Sequence, residues 1–112
     1  MIAPDRALIS GVPELLLLKL LARRPMYGYE LAKMVRLVSN EAITIGEGVL
    51  YPTLHVLEQR GLLRTREREV AGRSRIYYEP TAKGLKRLAT LTAEWRRISL
   101  GVDSVLEGSG DA

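Results

Sequence analysis

Gly46-Glu47-Gly48-Val49-Leu50-Tyr51-Pro52-Thr53-Leu54, running on to Leu57-Glu58 and Gly61-Leu62-Leu63, is the stretch on which the fold turns. Leu50, Leu54 and Leu57 are spaced four and three apart, which gives a helix one apolar edge. The bare edge carries Val49, Tyr51, Pro52, Thr53 and His55. Gly61 is placed to supply a left-handed C-terminal cap. In mid-helix Pro52 would cost about 3 kcal/mol, so the reading puts it within the first turn or so, where few backbone bonds are lost. A helix of this kind fits the major groove of DNA, with its N-terminal half at the base edges and the preceding helix on the backbone. No Arg, Asn or Gln faces outward before Gln59. Base reading would therefore rest on the Tyr51 and Thr53 hydroxyls, apolar contacts to thymine methyls and DNA shape. A plain solvated helix is the alternative.

Upstream, Tyr27, Leu31, Met34, Val35 and Val38 follow the one-sided helical pattern, and Ser39-Asn40 ends it. Helix, short turn and helix with glycine punctuation is the helix-turn-helix arrangement. Before it, Pro13 and Glu14 suit the start of a helix whose leucines fill nearly every position to Leu21, and Pro25 stops it. Residues Met1 to Val12 read as an arm.

Downstream, Leu63 to Val70 and Arg75 to Glu79 read as two strands, with Ala71-Gly72-Arg73-Ser74 as the reversal. Ile76 and Tyr78 share one face; Arg75, Tyr77 and Glu79 share the other. Arg73, Ser74 and Arg75 at the tip suit contact with phosphate or the minor groove, a solvated hairpin being the alternative. Tyr77 and Tyr78 read as packing residues. Pro80 ends the hairpin and Thr81 can cap the next helix.

That last helix runs from Ala82 to about Leu106 and carries Leu85, Leu88, Leu91, Trp95, Ile98, Val102, Val105 and Leu106 in a near-heptad stripe. At about 1.5 Å per residue it is too long for the head to cover. An uncovered apolar stripe implies a partner helix, most simply in a homodimer joined through Leu88, Leu91, Trp95, Ile98, Val102 and Val105. Trp95 has two readings, interface core or a stacking plate for a flat apolar effector. Domain organisation follows: arm and head over residues 1–80, dimerisation helix over 81–107 and flexible tail over 108–112. The fold class expected is mainly α with a small β-hairpin.

Composition narrows the function. The 112 residues are 46% hydrophobic and 27% charged, which suits one globular domain with a core. Zero cysteines exclude disulfides and thiolate metal sites, and a single histidine excludes a multi-histidine metal site. The longest apolar run, Leu15 to Leu18 and then Leu20 to Ala22, is too short for a membrane span and makes no signal peptide, so a cytoplasmic location is expected. Net charge is +4, and the segment from Arg60 to Arg75 holds six arginines against Glu67 and Glu69, which accounts for all of it. Phosphate contact is one reading of that excess, a solvated face the other. Catalysis has no constellation here: Gly46-Glu47-Gly48 lacks the third glycine of a dinucleotide fingerprint, and His55 has no partner. No enzyme, metal or cofactor is expected.

With these residues assembled, the chain resembles the PadR family of bacterial transcriptional regulators. The likeness is carried by Glu14 to Leu21, Tyr27-Gly28-Tyr29-Glu30-Leu31-Ala32, Gly46 to Leu54, Leu57-Glu58 and Gly61-Leu62. It continues in Gly72-Arg73-Ser74-Arg75-Ile76-Tyr77-Tyr78, Thr81, Gly84 and Glu94-Trp95. It implies a winged helix-turn-helix with a long C-terminal dimerisation helix, as in the short subfamily. The helix from Gly48 to Arg60 would read DNA, and Arg73 to Arg75 would be the wing. It further implies a homodimeric repressor on an inverted-repeat operator, released by a small molecule. Some short members sense planar drugs between paired tryptophans, which would place an effector near Leu88, Leu91, Thr92 and Trp95. The rival readings are a sensor of drugs or phenolics with a secondary DNA role, and a protein-interaction adaptor.

Overall fold

The computed structural model describes residues 6–108, with side chains from residue 11 onward. Along the chain lie α1 (Arg6–Arg23), β1 (Met26–Tyr27), α2 (Gly28–Val38), α3 (Glu47–Gln59), β2 (Leu63–Val70), β3 (Arg73–Pro80) and α4 (Ala82–Leu106). The architecture is mainly helical with a small antiparallel sheet. Leu17, Leu18 and Leu21 of α1, Leu31 and Val35 of α2, and Leu50, Leu54 and Leu57 of α3 meet in one core with Met26, Leu62, Leu63 and Leu91. Each leucine removed from water contributes about 1.5–3 kcal/mol.

The arm predicted before Pro13 is corrected. Its residues 1–5 lie outside the described residues, but α1 already starts at Arg6 and runs straight through Gly11 and Pro13. Gly11, Val12 and Leu15 line a cleft against Leu91, Glu94, Trp95 and Ile98 of α4. An interior proline costs a helix about 3 kcal/mol, and here α1 carries it where it lies along α4. Of the predicted tail, residues 109–112 lie outside the described residues.

The sheet holds an unpredicted strand. Its order is β1-β3-β2, with Met26 opposite Tyr78 and Tyr27 opposite Tyr77. Two residues are too few to show periodicity, and β1 exists because β3 offers it an edge. In the β2–β3 hairpin, Leu63 pairs with Pro80 and Val70 with Arg73. The reversal is therefore only Ala71-Gly72, at φ 53° and 77°. Positive φ at both loop residues is the two-residue turn that matches strand twist. Arg73 and Ser74, predicted in the turn, are strand residues.

Gly61, at φ 75°, ends α3 as expected. Leu62 N–H bonds to the Leu57 carbonyl at 2.9 Å and Gly61 N–H to that of Glu58 at 3.0 Å, the Schellman pair. Pro52 sits at the sixth helical position, just past the first turn where the sequence reading puts it, so one interior bond of α3 is lost. Thr81 caps α4: its Oγ1 accepts from Gly84 N–H at 3.1 Å and donates to the Gly61 carbonyl at 2.6 Å. The 25-residue α4 outreaches the head, and the molecule measures 62 × 28 × 24 Å.

Candidate nucleic-acid interface

At 3.6 residues per turn, positions two apart on a helix point roughly 200° apart. Tyr51 and Thr53 consequently lie on opposite flanks of α3. Tyr51 turns towards α2, where a Cβ placed on Gly28 would come within 2.6–2.9 Å of its ring and hydroxyl. Thr53 is half-buried and, with Pro52, lines an open cleft of about 240 Å³ bounded by Glu14, Val56, Leu57 and Arg60. Val49, Pro52 and His55 are exposed, as are Gly48, Val56 and Gln59, which belong to the same outward arc and were not among the predicted readers. Counting 100° per residue from Leu54 would have found them.

At the wing, Arg73 and Ser74 are exposed beside the turn. Arg75 is half-buried, its guanidinium carbon 4.2 Å from the centre of the Tyr27 ring. Arg68 lies 4.6 Å over Tyr77, and the Tyr27 and Tyr77 rings meet edge-on at 5.5 Å. Tyr78, on the other face, packs against the core. Burial, with Glu58 and then Tyr51 nearby, raises its phenol above the ordinary 10.0. Thr65 Oγ1 donates to Glu58 Oε2 at 3.3 Å, tying β2 to α3.

In the sequence Glu14 suits a helix start; in the fold it does more. Its nearly buried carboxylate accepts from Arg87 Nε of α4 at 3.1 Å and pairs with Arg60 Nη1 at 3.6 Å, just beyond α3. Lys83 Nζ adds a bond to the Arg60 carbonyl at 3.0 Å. This knot ties the end of α3 to the start of α4. Residues so far apart in the chain left no local signal.

On α4 the predicted residues divide. Leu91 is only 7% exposed and Leu88 packs against the same core, so both already have cover within this chain. Thr92 Oγ1 donates back to the Leu88 carbonyl at 2.7 Å. Leu91 and Trp95 line the cleft of about 60 Å³ against α1; Leu88 and Thr92 do not. Trp95, Val102 and Val105 are exposed, with Ile98 half-buried, and Leu100 is exposed on another side of the helix. Among the described residues no helix is long and apolar enough to cross a membrane, and no three carboxylate or imidazole side chains could hold a metal ion.

This arrangement of helices, wing and long terminal helix has known counterparts. The model of the transcriptional regulator PadR-like family matches residues 17–90. The chain belongs to the PadR family. This PadR-family member is 36% identical to a Streptococcus mutans protein of solved structure (smu.1704), with a TM-score of 0.79 over 96% of this chain and 95% of that one. A PadR-like transcriptional regulator of Bacillus cereus superposes with a TM-score of 0.78 at 28% identity, covering 91% and 98% of the two chains. The transcriptional regulator Rv3488 of Mycobacterium tuberculosis is 39% identical over 71 residues, 63% of this chain and 64% of that protein. The PadR-family chain is a DNA-binding transcriptional regulator and not an enzyme, and its head is a winged helix-turn-helix.

Proposed function

We propose that this regulator acts as a homodimeric repressor on an inverted-repeat operator and is released by a small planar aromatic molecule. The observation that carries the reading is the outer half of α4, where Val102, Val105 and Leu106 are exposed in line with the partly exposed Trp95. Pairing two such helices would bury the stripe and set two α3 helices about 34–36 Å apart, one turn of DNA. The described residues up to 80 then serve as the head and 81–107 as the dimerisation helix, the plan of the short PadR subfamily, at work in the cytoplasm. Val49, Pro52 and His55 would face the major groove with Tyr51 and Thr53 on its two flanks, and Arg73, Ser74 and Arg75 the backbone beside it.

The cleft beside Trp95 supports the effector part of the reading. It is lined by the apolar Val12, Leu15, Leu91 and Ile98 together with Glu94, and at about 60 Å³ it would need the surface of a second copy to complete a site for an aromatic ring. A flat aromatic ligand stacked on Trp95 would shift how α1 and α4 meet, and with them the spacing of the heads.

Footprinting on the promoter region of its own gene tests the reading. The expected result is a protected site with dyad symmetry from a protein that elutes as a dimer, and protection that fades as planar aromatics quench Trp95 fluorescence. Protection without dyad symmetry, or a monomer on the column, overturns the dimeric operator reading. Quenching with unchanged protection overturns the effector.

A further inference from the structure

Strand alternation sorts the charges of β2. Arg64, Arg66 and Arg68 stand on one face of the sheet, and Thr65, Glu67 and Glu69 on the other. Arg75, Tyr77 and Glu79 of β3 pair across from those arginines, and Arg73 carries the same face to the hairpin tip. Five arginines and one acid leave +4 on this face, equal to the formal charge of the whole chain. Of the 17 bases and 13 acids in the sequence, the remaining twelve of each cancel. Thr65, Met26 and Tyr78 meet α3 and the core on the opposite side, so the arginine face looks away from the recognition helix.

These guanidiniums are held in place more than they are neutralised. Glu79 Oε1 accepts from both Arg64 Nε at 2.9 Å and Arg66 Nη2 at 3.2 Å, one carboxylate for two cations. Arg68 rests on Tyr77 and Arg75 on Tyr27, and neither forms an ion pair among the described residues. A guanidinium held over a ring by cation–π attraction spends none of its N–H donors on that contact, so they are left for an anion. Successive arginines on β2 are about 6.7 Å apart along the strand, a regular row suited to a run of phosphates rather than to one carboxylate.

We propose that Arg64, Arg66 and Arg68, continuous with Arg75, form a second DNA contact on the outer face of the wing sheet. It grips the backbone of duplex flanking the segment that α3 reads, without regard to sequence. This rests on the DNA-binding reading of the head.

The test is an Arg64→Ala, Arg66→Ala, Arg68→Ala triple variant of the full chain, with α3, Arg73 and Arg75 untouched. All three side chains are exposed, and a thermal melt followed by circular dichroism verifies the fold. Affinity is measured across a salt series on a mixed-sequence duplex and on the promoter fragment. The expected result is a salt slope shallower by about 2–3 units, at about 0.9 per phosphate lost, with the same fold-loss on both DNAs. The matching triple lysine variant should keep the slope. A wild-type slope in the alanine variant overturns the proposal, and does so even if binding to polyglutamate is lost, which would assign the face to an acidic protein. Loss confined to the promoter fragment also overturns it. Wild-type protein that binds neither DNA defeats the underlying reading instead.

Discussion

Gly28 and Tyr51 compete for one small space, and that makes a glycine in α2 part of the presentation of α3. A methyl group at residue 28 would meet the Tyr51 ring at 2.6 Å, and the ring is the part able to move. Gly28→Ala is expected to leave the fold intact and weaken DNA binding about as much as Tyr51→Ala does. The double variant should then bind no worse than either single one, a coupling of about 0.5–3 kcal/mol by mutant cycle. Simple addition of the two losses would separate the residues. Tyr78 gives a second prediction at this scale. Its pKa is raised above 10.0 by burial first, then by Glu58 and Tyr51, so the folded chain holds this proton more tightly than the unfolded one. Its contribution is complete below pH 10 and fades as pH climbs through the raised value. Tyr78→Phe should therefore flatten the alkaline fall in urea-unfolding stability; an unchanged slope would acquit Tyr78. Strand alternation separated Tyr78 from Tyr77 and read both as packing residues, without saying which face meets the core; Tyr78 is the one that does. The sequence could not place Tyr51 over Gly28, because those two meet only through the angle between helices.

At the scale of elements, the joint between α3 and α4 leaves no room for a side chain at Gly84. Thr81 bridges the two helix ends, and the Gly84 Cα lies so close to the Leu62 carbonyl that any Cβ there would collide with it. Backbone, unlike a flexible side chain, cannot step aside. Gly84→Ala is expected to cost about 1–3 kcal/mol in urea unfolding, the range for overpacking. A neutral result would mean that α4 can slide. Cap and stop signals made the helix ends legible: Gly61 and Thr81 occupy the places their chemistry dictates. The two prolines depart from the reading to different degrees. Pro13 does not start α1, because contact with α4 keeps the preceding residues helical, and Pro52 lies just past the first turn of α3 because Leu50, Leu54 and Leu57 hold that helix to the core. Propensity gave way to packing in both.

For the whole molecule, the uncovered end of α4 governs the expected assembly. Val102→Glu with Val105→Glu should leave the head folded, convert the dimer to monomer in sedimentation, and weaken operator binding by at least tenfold. A dimer that persists would move the interface elsewhere, for instance onto α1. Period together with cap and turn residues was enough to show that the four helices and the hairpin exist and that α4 outreaches the head, since each depends on residues within a few positions of one another. So was the motif set that marks the PadR family. Tertiary structure alone decided which members of each stripe are already spoken for: Leu88 and Leu91 go to the core, Tyr51 goes to Gly28, and Glu14 ties α1 to Arg60 and Arg87. A periodic pattern says which side of an element is apolar or charged. What that side touches depends on chain brought in from far away, and only packing in three dimensions supplies it.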